Sequence, residues 1–250
     1  MFRTFCLAVL LVLPPIAASA AAGDDAVLRA RAAYFERKPA QFERAAQGVP
    51  ADHVLVPYVE YWRLMLTGRG NDAEMADFLA RYPDTRLAES VRADWLRTLG
   101  ARADWTRYLS EYARLDKPDT ALQCYAYRAE WAQGNRTHAR EAIGLWFTGR
   151  DMPAACTPLF ALLIEAGFIN DEDVWRRMRL AFEAGNPGVA RVVSNALPES
   201  QRPAAALYDR AARAPARLLA EGLDAGRRGD RELALYAIEQ LARSDSAAAA

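Results

Sequence analysis

Apolar side chains recur at helical spacing along almost the whole chain, and this periodicity constrains the fold more than any other feature. One clear run has a large apolar residue at every fourth position: Leu87, Val91, Trp95 and Leu99. Such spacing places the residues on one face of an α-helix, whereas the strict apolar alternation typical of β-strands is absent from the sequence. Alanine, leucine, arginine and glutamate, which favour helices, are frequent, and β-branched residues are sparse. The sequence therefore predicts an all-α protein.

Capping residues, glycines and prolines divide the chain into helices joined by short loops. We expect Asp24 or Asp25 to cap the first helix. Asn71, Asp84 and Asp119 are expected to cap later ones. Helices are also predicted over residues 135–147, 153–166, 171–184, 187–196, 201–212, 215–226 and 230–243. Because short loops force neighbouring helices to fold back, and helix pairs recur every roughly 30–40 residues, we predict a right-handed superhelix, or solenoid, of antiparallel helix pairs.

The same periodicity assigns expected environments to several conspicuous side chains. Tryptophans that lie beside leucine and alanine are expected in the core rather than stacked on a sugar: Trp95, Trp105, Trp131, Trp146 and Trp175. Arginines of one later helix are expected to form a solvated face: Arg176, Arg177 and Arg179. The acidic run at residues 171–173 is expected to cap that helix, and Glu130 and Glu183 are expected on exposed helix faces.

The first residues have the three-part layout of a secretory signal. A short basic start precedes the apolar run of residues 5–13, which is too short to span a bilayer. Ala18 and Ala20 provide the small residues that signal peptidase requires, so cleavage is predicted after Ala20. An uncleaved anchor is the alternative. We therefore predict a signal peptide over residues 1–20 and an α-helical domain over residues 21–250, with no stable membrane insertion.

Export changes what the cysteines can do. Removal of the signal leaves Cys124 and Cys156, and two cysteines in an oxidising compartment predict a disulfide, with two buried free thiols as the alternative. Neither His53 nor His138 has metal-ligand spacing to a cysteine, so no metal site is predicted. The usual nucleophile, phosphate-loop and zinc-protease motifs are absent, so we predict no catalytic residue and no cofactor. The balance of 32 basic and 32 acidic residues does not indicate nucleic-acid binding.

The stretch from Tyr58 to Leu197 carries motifs that a generic helical solenoid would lack. They include Tyr61-Trp62, Tyr82-Pro83, Leu122-Gln123-Cys124-Tyr125, Trp131-Ala132-Gln133-Gly134, Leu145-Trp146-Phe147-Thr148-Gly149, and Met152-Pro153-Ala154-Ala155-Cys156 with Phe160. With these motifs the stretch resembles the N-terminal superhelical, U-shaped region of the soluble lytic murein transglycosylase family.

That resemblance implies a periplasmic chain associated with peptidoglycan glycan strands. Enzymes of the family cleave the bond between N-acetylmuramic acid and N-acetylglucosamine to 1,6-anhydro products, using a glutamate on a lysozyme-like domain that follows the helices. The present chain stops at Ala250, and its Glu199-Ser200 pair does not continue into the family's catalytic motif. We therefore expect a fragment or truncated product without that catalytic domain. The alternative is a non-catalytic periplasmic scaffold whose helices bind a protein partner.

Overall fold

The computed structural model describes residues 16–67 and 71–244, and every regular element in these ranges is a helix. Most of the predicted signal peptide, residues 1–15, lies outside the described residues, as do residues 245–250. Within the described ranges, no helix is both long enough and apolar enough to cross a membrane. The chain divides into two compact units, the first ending at Thr98 and the second beginning at Leu99.

The first unit is built from consecutive helices that pack on their neighbours in the chain. They are α1 (Ile16–Phe35), α2 (Pro39–Ala46), α3 (Val56–Thr67), α4 (Asp72–Arg81) and most of α5 (Arg86–Ala101). Helices α1, α2 and α3 enclose a small apolar core that includes Val27, Phe42, Val59 and Trp62. Helix α1 packs on both α2 and α3, so three helices rather than one antiparallel pair form this core.

The second unit has a longer series of helices around one continuous apolar core. They are α6 (Trp105–Tyr112), α7 (Thr120–Ala132), α8 (Arg136–Arg140), α9 (Ile143–Trp146), α10 (Thr157–Glu165), α11 (Asp171–Glu183), α12 (Pro187–Ser194), α13 (Ala205–Arg213), α14 (Pro215–Glu221) and α15 (Arg228–Ser244). Trp175 and Leu159 are completely buried in this core. On α11, Phe182 stacks against Tyr236 of α15 and Tyr208 of α13, so the last helices close over the same apolar layer.

Two of the predicted helix caps are confirmed. The Asn71 carboxamide oxygen accepts a hydrogen bond from the backbone N–H of Ala73 at 3.1 Å. The Asp119 carboxylate accepts one from the N–H of Leu122 at 2.9 Å. Each bond satisfies a backbone donor that the first helical turn would otherwise leave unpaired.

The predicted caps of the first helix and of α5 were wrong. Asp24 and Asp25 lie inside α1, and the Asp24 carboxylate lies 3.0 Å from His53 Nε2 instead. Thr85, not Asp84, caps α5. Its hydroxyl accepts a hydrogen bond from the backbone N–H of Ala88 at 3.1 Å and donates one to the carbonyl of Tyr82 at 2.9 Å. A hydroxyl can do both, which an ionised carboxylate cannot.

Some predicted helix boundaries were also wrong. The helix expected over residues 135–147 is two short helices, because the N–H groups of Ala142 and Leu145 bond three residues back rather than four. The helix expected over residues 215–226 ends at Glu221, where Gly222 takes a φ of 85° that favours glycine.

The tryptophan prediction is confirmed for three of its residues. Trp95, Trp146 and Trp175 are buried. Trp105 and Trp131 are half-buried. The guanidinium carbon of Arg128 lies 5.1 Å from the Trp105 ring centroid, and that of Arg136 lies 5.2 Å from the Trp131 ring centroid.

Candidate functional site

The loop after α9, residues 147–153, is held against α11 by backbone-directed contacts. Trp146 Nε1 donates a hydrogen bond to the carbonyl of Asp173 at 3.0 Å, and Asn186 Nδ2 donates one to the carbonyl of Gly149 at 2.9 Å. A Cβ atom at Gly149 would lie 2.1 Å from the carbonyl oxygen of Leu180, so only glycine fits. The Leu145–Gly149 motif is therefore a docking element of the fold.

Two arginines of α11 cover this same loop with their guanidinium groups. Arg176 lies 4.3 Å from the ring centroid of Phe147, and Arg177 lies 4.4 Å from that of Trp146 and 5.3 Å from that of Phe160. Only 5% of the surface of Arg177 is exposed, so the prediction of a solvated arginine face was wrong at this position. Burial lowers the pKa of Arg177 to about 10, and the side chain still carries its charge at neutral pH.

The neighbouring arginine belongs to an ion-pair network that joins α11 to α15. Arg179 contacts Glu172 at 2.9 Å and Glu232 at 2.8 Å, and Arg228 contacts Glu172 at 2.6 Å. Hydrogen bonds from Arg179 and Arg228 hold the pKa of Glu172 below its usual range. These ion pairs hold α11 against α15 and so stabilise the fold.

The acidic run at residues 171–173 begins α11 as expected, but the cap is the residue before it. Asn170 and Asp173 form a reciprocal capping box, each side chain bonding to the other's backbone N–H at 3.0–3.1 Å.

The two cysteines of the predicted pair lie together in the core. Cys124 is on α7, Cys156 precedes α10, and the structure links them by a disulfide with 5.0 Å between the Cα atoms. Both are completely buried. The disulfide connects α7 to the segment that follows the loop of residues 147–153.

Within the described part of the chain, no three histidine, cysteine, aspartate or glutamate side chains come close enough to hold a metal ion. His53 and His138 each face carboxylates instead: His53 faces Asp24, and His138 lies 3.6 Å from both Glu130 and Glu141.

A cleft on the second unit gathers groups that are suited to bind a ligand. It has a volume of about 250 Å³ and is bounded by α6, α7 and α8. Its lining residues are Leu109, Tyr112, Ala113, Ala126, Tyr127, Glu130 and His138. Small apolar residues and a leucine lie beside two phenols, a carboxylate and an imidazole, so both apolar and polar contacts are available to one ligand.

The polar residues of the cleft are held in defined positions. The Tyr112 ring stacks on Tyr108 at 5.7 Å, and the Tyr127 ring meets His138 edge-on at 5.7 Å. Burial raises the pKa of both Tyr112 and Tyr127, so their hydroxyls stay protonated at physiological pH. Glu130 accepts a hydrogen bond from Asn135 at 2.9 Å.

Sequence reasoning missed this cleft, and its placement of Glu130 on an exposed face was wrong. Only 21% of the Glu130 side chain is exposed. Tyr127 and Glu130 are three residues apart and therefore share a face of α7, which was the available signal. Tyr112 joins them only because α6 packs on α7.

Comparisons with known proteins test the family resemblance. No protein-family model matches the chain. It is 28% identical over 237 residues to the soluble lytic murein transglycosylase of Escherichia coli, covering 91% of this chain and 37% of that protein. It also superposes on the crystal structure of the 70-kDa soluble lytic transglycosylase of Escherichia coli with a TM-score of 0.71 at 25% identity. The chain is homologous to a helical region of the soluble lytic murein transglycosylases.

A second curated relative and a second solved structure give the same result. The soluble lytic murein transglycosylase of Salmonella typhimurium is 28% identical over 231 residues, covering 89% of this chain and 36% of that protein. The structure of an inactive mutant of the lytic transglycosylase Slt from Pseudomonas aeruginosa has a TM-score of 0.64 at 26% identity, covering 90% of this chain and 36% of that one. The chain spans a little over a third of the length of the curated relatives it matches. The predicted all-α superhelical fold class is confirmed.

Proposed function

We propose that this chain is the peptidoglycan-associated helical domain of a soluble lytic murein transglycosylase and that its role is to hold glycan strands. The observation that carries the proposal is homology over 91% of the chain to an enzyme named for its action on murein. The parent enzyme would cleave the bond between N-acetylmuramic acid and N-acetylglucosamine to 1,6-anhydro products, while the helices would hold the polymer or position the catalytic domain.

The proposal places the chain in the periplasm. Residues 1–20 would act as a cleavable signal peptide, with Ala18 and Ala20 before the cleavage site, and residues 21–250 would form the helical domain. The proximity of Cys124 and Cys156 supports this location, because disulfides form and persist in oxidising compartments.

The chemistry of glycan cleavage argues for a non-catalytic role. The reaction needs a positioned carboxylic acid whose surroundings raise its pKa. Glu172 has the opposite perturbation, because two arginines stabilise its ionised form. Asp119 and Asp173 cap helices through their carboxylates. We therefore do not assign the catalytic acid to Glu172, Asp119 or Asp173.

Retention on purified sacculi tests the proposed function. The chain is incubated with sacculi, the sacculi are pelleted, and the bound fraction is measured across a range of salt concentrations. We expect retention that soluble glycan strands compete away. An unrelated soluble protein of similar size and net charge serves as the control. Failure of the chain to pellet above that control would overturn the proposal in favour of a scaffold for a protein partner.

A further inference from the structure

The cleft bounded by α6, α7 and α8 presents two hydroxyl groups that the fold does not use. Neither Tyr112 nor Tyr127 makes a hydrogen bond through its phenolic oxygen to any residue in the described ranges. Both side chains are half-buried, and neither hydroxyl is among the atoms sealed from solvent. Since the rings are packed, the hydroxyls are available donors and acceptors at fixed positions.

The carboxylate and imidazole of the cleft also keep bonding capacity. Glu130 accepts one hydrogen bond from Asn135, whereas a carboxylate has about four acceptor positions. The ring nitrogens of His138 lie 3.6 Å from Glu130 and Glu141, which is beyond hydrogen-bond distance. Nearly half of the His138 side chain is exposed, so both groups can reach a ligand.

The size and charge of the cleft select the class of ligand. A volume of about 250 Å³ is below the ordinary range for drug-sized ligands and suits a single ring. No lysine or arginine lines the cleft, while Glu130 does, so the lining offers an anionic group no permanent positive charge. A neutral sugar ring offers an apolar face to the tyrosine rings and the small apolar side chains, and a rim of hydroxyls to the polar groups.

We propose that this cleft binds one N-acetylhexosamine unit of a glycan strand, an inference that rests on the proposed function and names a residue-level site for it. In this arrangement the Tyr112 and Tyr127 rings contact the sugar face. The two phenolic hydroxyls and the Glu130 carboxylate bond to its hydroxyls, and His138 bonds to the acetamido group or a hydroxyl.

The test uses the double variant Tyr112→Phe with Tyr127→Phe, which removes both hydroxyls and keeps both rings. Because neither hydroxyl bonds to the described part of the protein, we expect the variant to fold with an unchanged thermal midpoint. Titration calorimetry with the N-acetylglucosamine tetramer should show binding about tenfold weaker than for the unmodified chain, as expected for two lost neutral hydrogen bonds. Tyr58→Phe, at an exposed tyrosine of the first unit, is the matched control and should bind like the unmodified chain.

The outcomes separate this site from the proposed function. If the unmodified chain is retained on sacculi, and the double variant binds sacculi and the tetramer as well as the unmodified chain does, the cleft is not the sugar site. The proposed function then stands. If the chain binds the tetramer and the double variant binds it more weakly, although the chain is not retained on sacculi, the site stands and the proposed function fails. Binding of a free stem peptide in the cleft, with no response to the tetramer, would overturn the sugar assignment.

Discussion

Gly149 shows how one residue of a sequence motif serves the packing of the fold. A Cβ atom added to Gly149 would meet the carbonyl oxygen of Leu180 on α11 at 2.1 Å, which leaves no room for a side chain. The contact brings the loop close enough for Asn186 to bond to the Gly149 carbonyl, and for Arg176 to stack on Phe147. The motif is therefore specific because several close contacts depend on it together.

Substitution of Gly149 by alanine is expected to destabilise the second unit. The added Cβ would meet a backbone oxygen, which cannot turn aside, so the loop must move and the free energy of unfolding should fall by about 2 kcal/mol or more. Gly144→Ala is the control, because nothing lies within 4 Å of a Cβ at that helical position. Urea denaturation followed by circular dichroism measures both variants. Equal stability of the two variants would contradict the steric argument.

Glu172 leads to a prediction about pH. Arg179 and Arg228 hold its pKa below the ordinary 4.5, so the ion pairs contribute stability above that pH and lose it as pH falls through the depressed value. We expect Glu172→Gln to lower stability at pH 7 by less than about 1 kcal/mol, because the side chain is exposed and solvent screens it. The difference from the unmodified chain should vanish in acid, as measured by thermal denaturation at stepped pH.

The matched control for that experiment is Glu165→Gln, at an exposed glutamate near the end of α10 that lies outside the network. Its effect should be small and should not depend on pH. A pH-independent loss for Glu172→Gln would show that the network is not electrostatic in origin.

At the scale of elements, the second unit is held together by links between helices that are not neighbours in the chain. The disulfide connects α7 to the start of α10, across a sequence separation of 32 residues. The Glu172 network connects α11 to α15, and Phe182 stacks on both α13 and α15. Helices α8 and α9 are short; α8 packs on α7, and Trp146 of α9 donates its indole N–H to the Asp173 carbonyl of α11.

We expect the unreduced, denatured mature chain to contain no titratable thiol. Reduction should lower the free energy of unfolding by about 3–4 kcal/mol, the loop-closure entropy for a loop of this length. The Cys124→Ser, Cys156→Ser double variant should have the stability of the reduced chain and should not respond to reductant. Two reactive thiols in the unreduced chain would contradict the disulfide.

At the scale of the whole molecule, the chain aligns with a little over a third of the length of each of these curated relatives. The carboxylates described above cap helices, form ion pairs or line the cleft. The pKa of Glu172 is lowered, whereas the acid in glycan cleavage needs a raised one.

The purified chain is therefore expected to release no anhydromuropeptides from murein. Sacculi are incubated with the chain, and the soluble products are analysed by mass spectrometry. The soluble lytic murein transglycosylase of Escherichia coli serves as the positive control, and a mock purification serves as the background. Anhydro products above that background would reveal an active site in this chain.

The all-α fold and the burial of Trp95, Trp146 and Trp175 followed from the sequence because helical periodicity is local. Leu87, Val91, Trp95 and Leu99, for example, share a helix face whatever surrounds them. The caps at Asn71 and Asp119 were equally local, since a cap bonds to its own helix. The family resemblance also came from contiguous motifs.

The environment of Arg177 and the cleft required the tertiary structure. Arg177 looks like a surface residue of α11, and only the docking of Trp146 and Phe160 buries it. The cleft joins Tyr112 of α6 to Glu130 of α7, and no local rule places those two side chains together. Burial and binding sites depend on which helix faces meet, and that choice is made by the packing of the whole core rather than by any single segment.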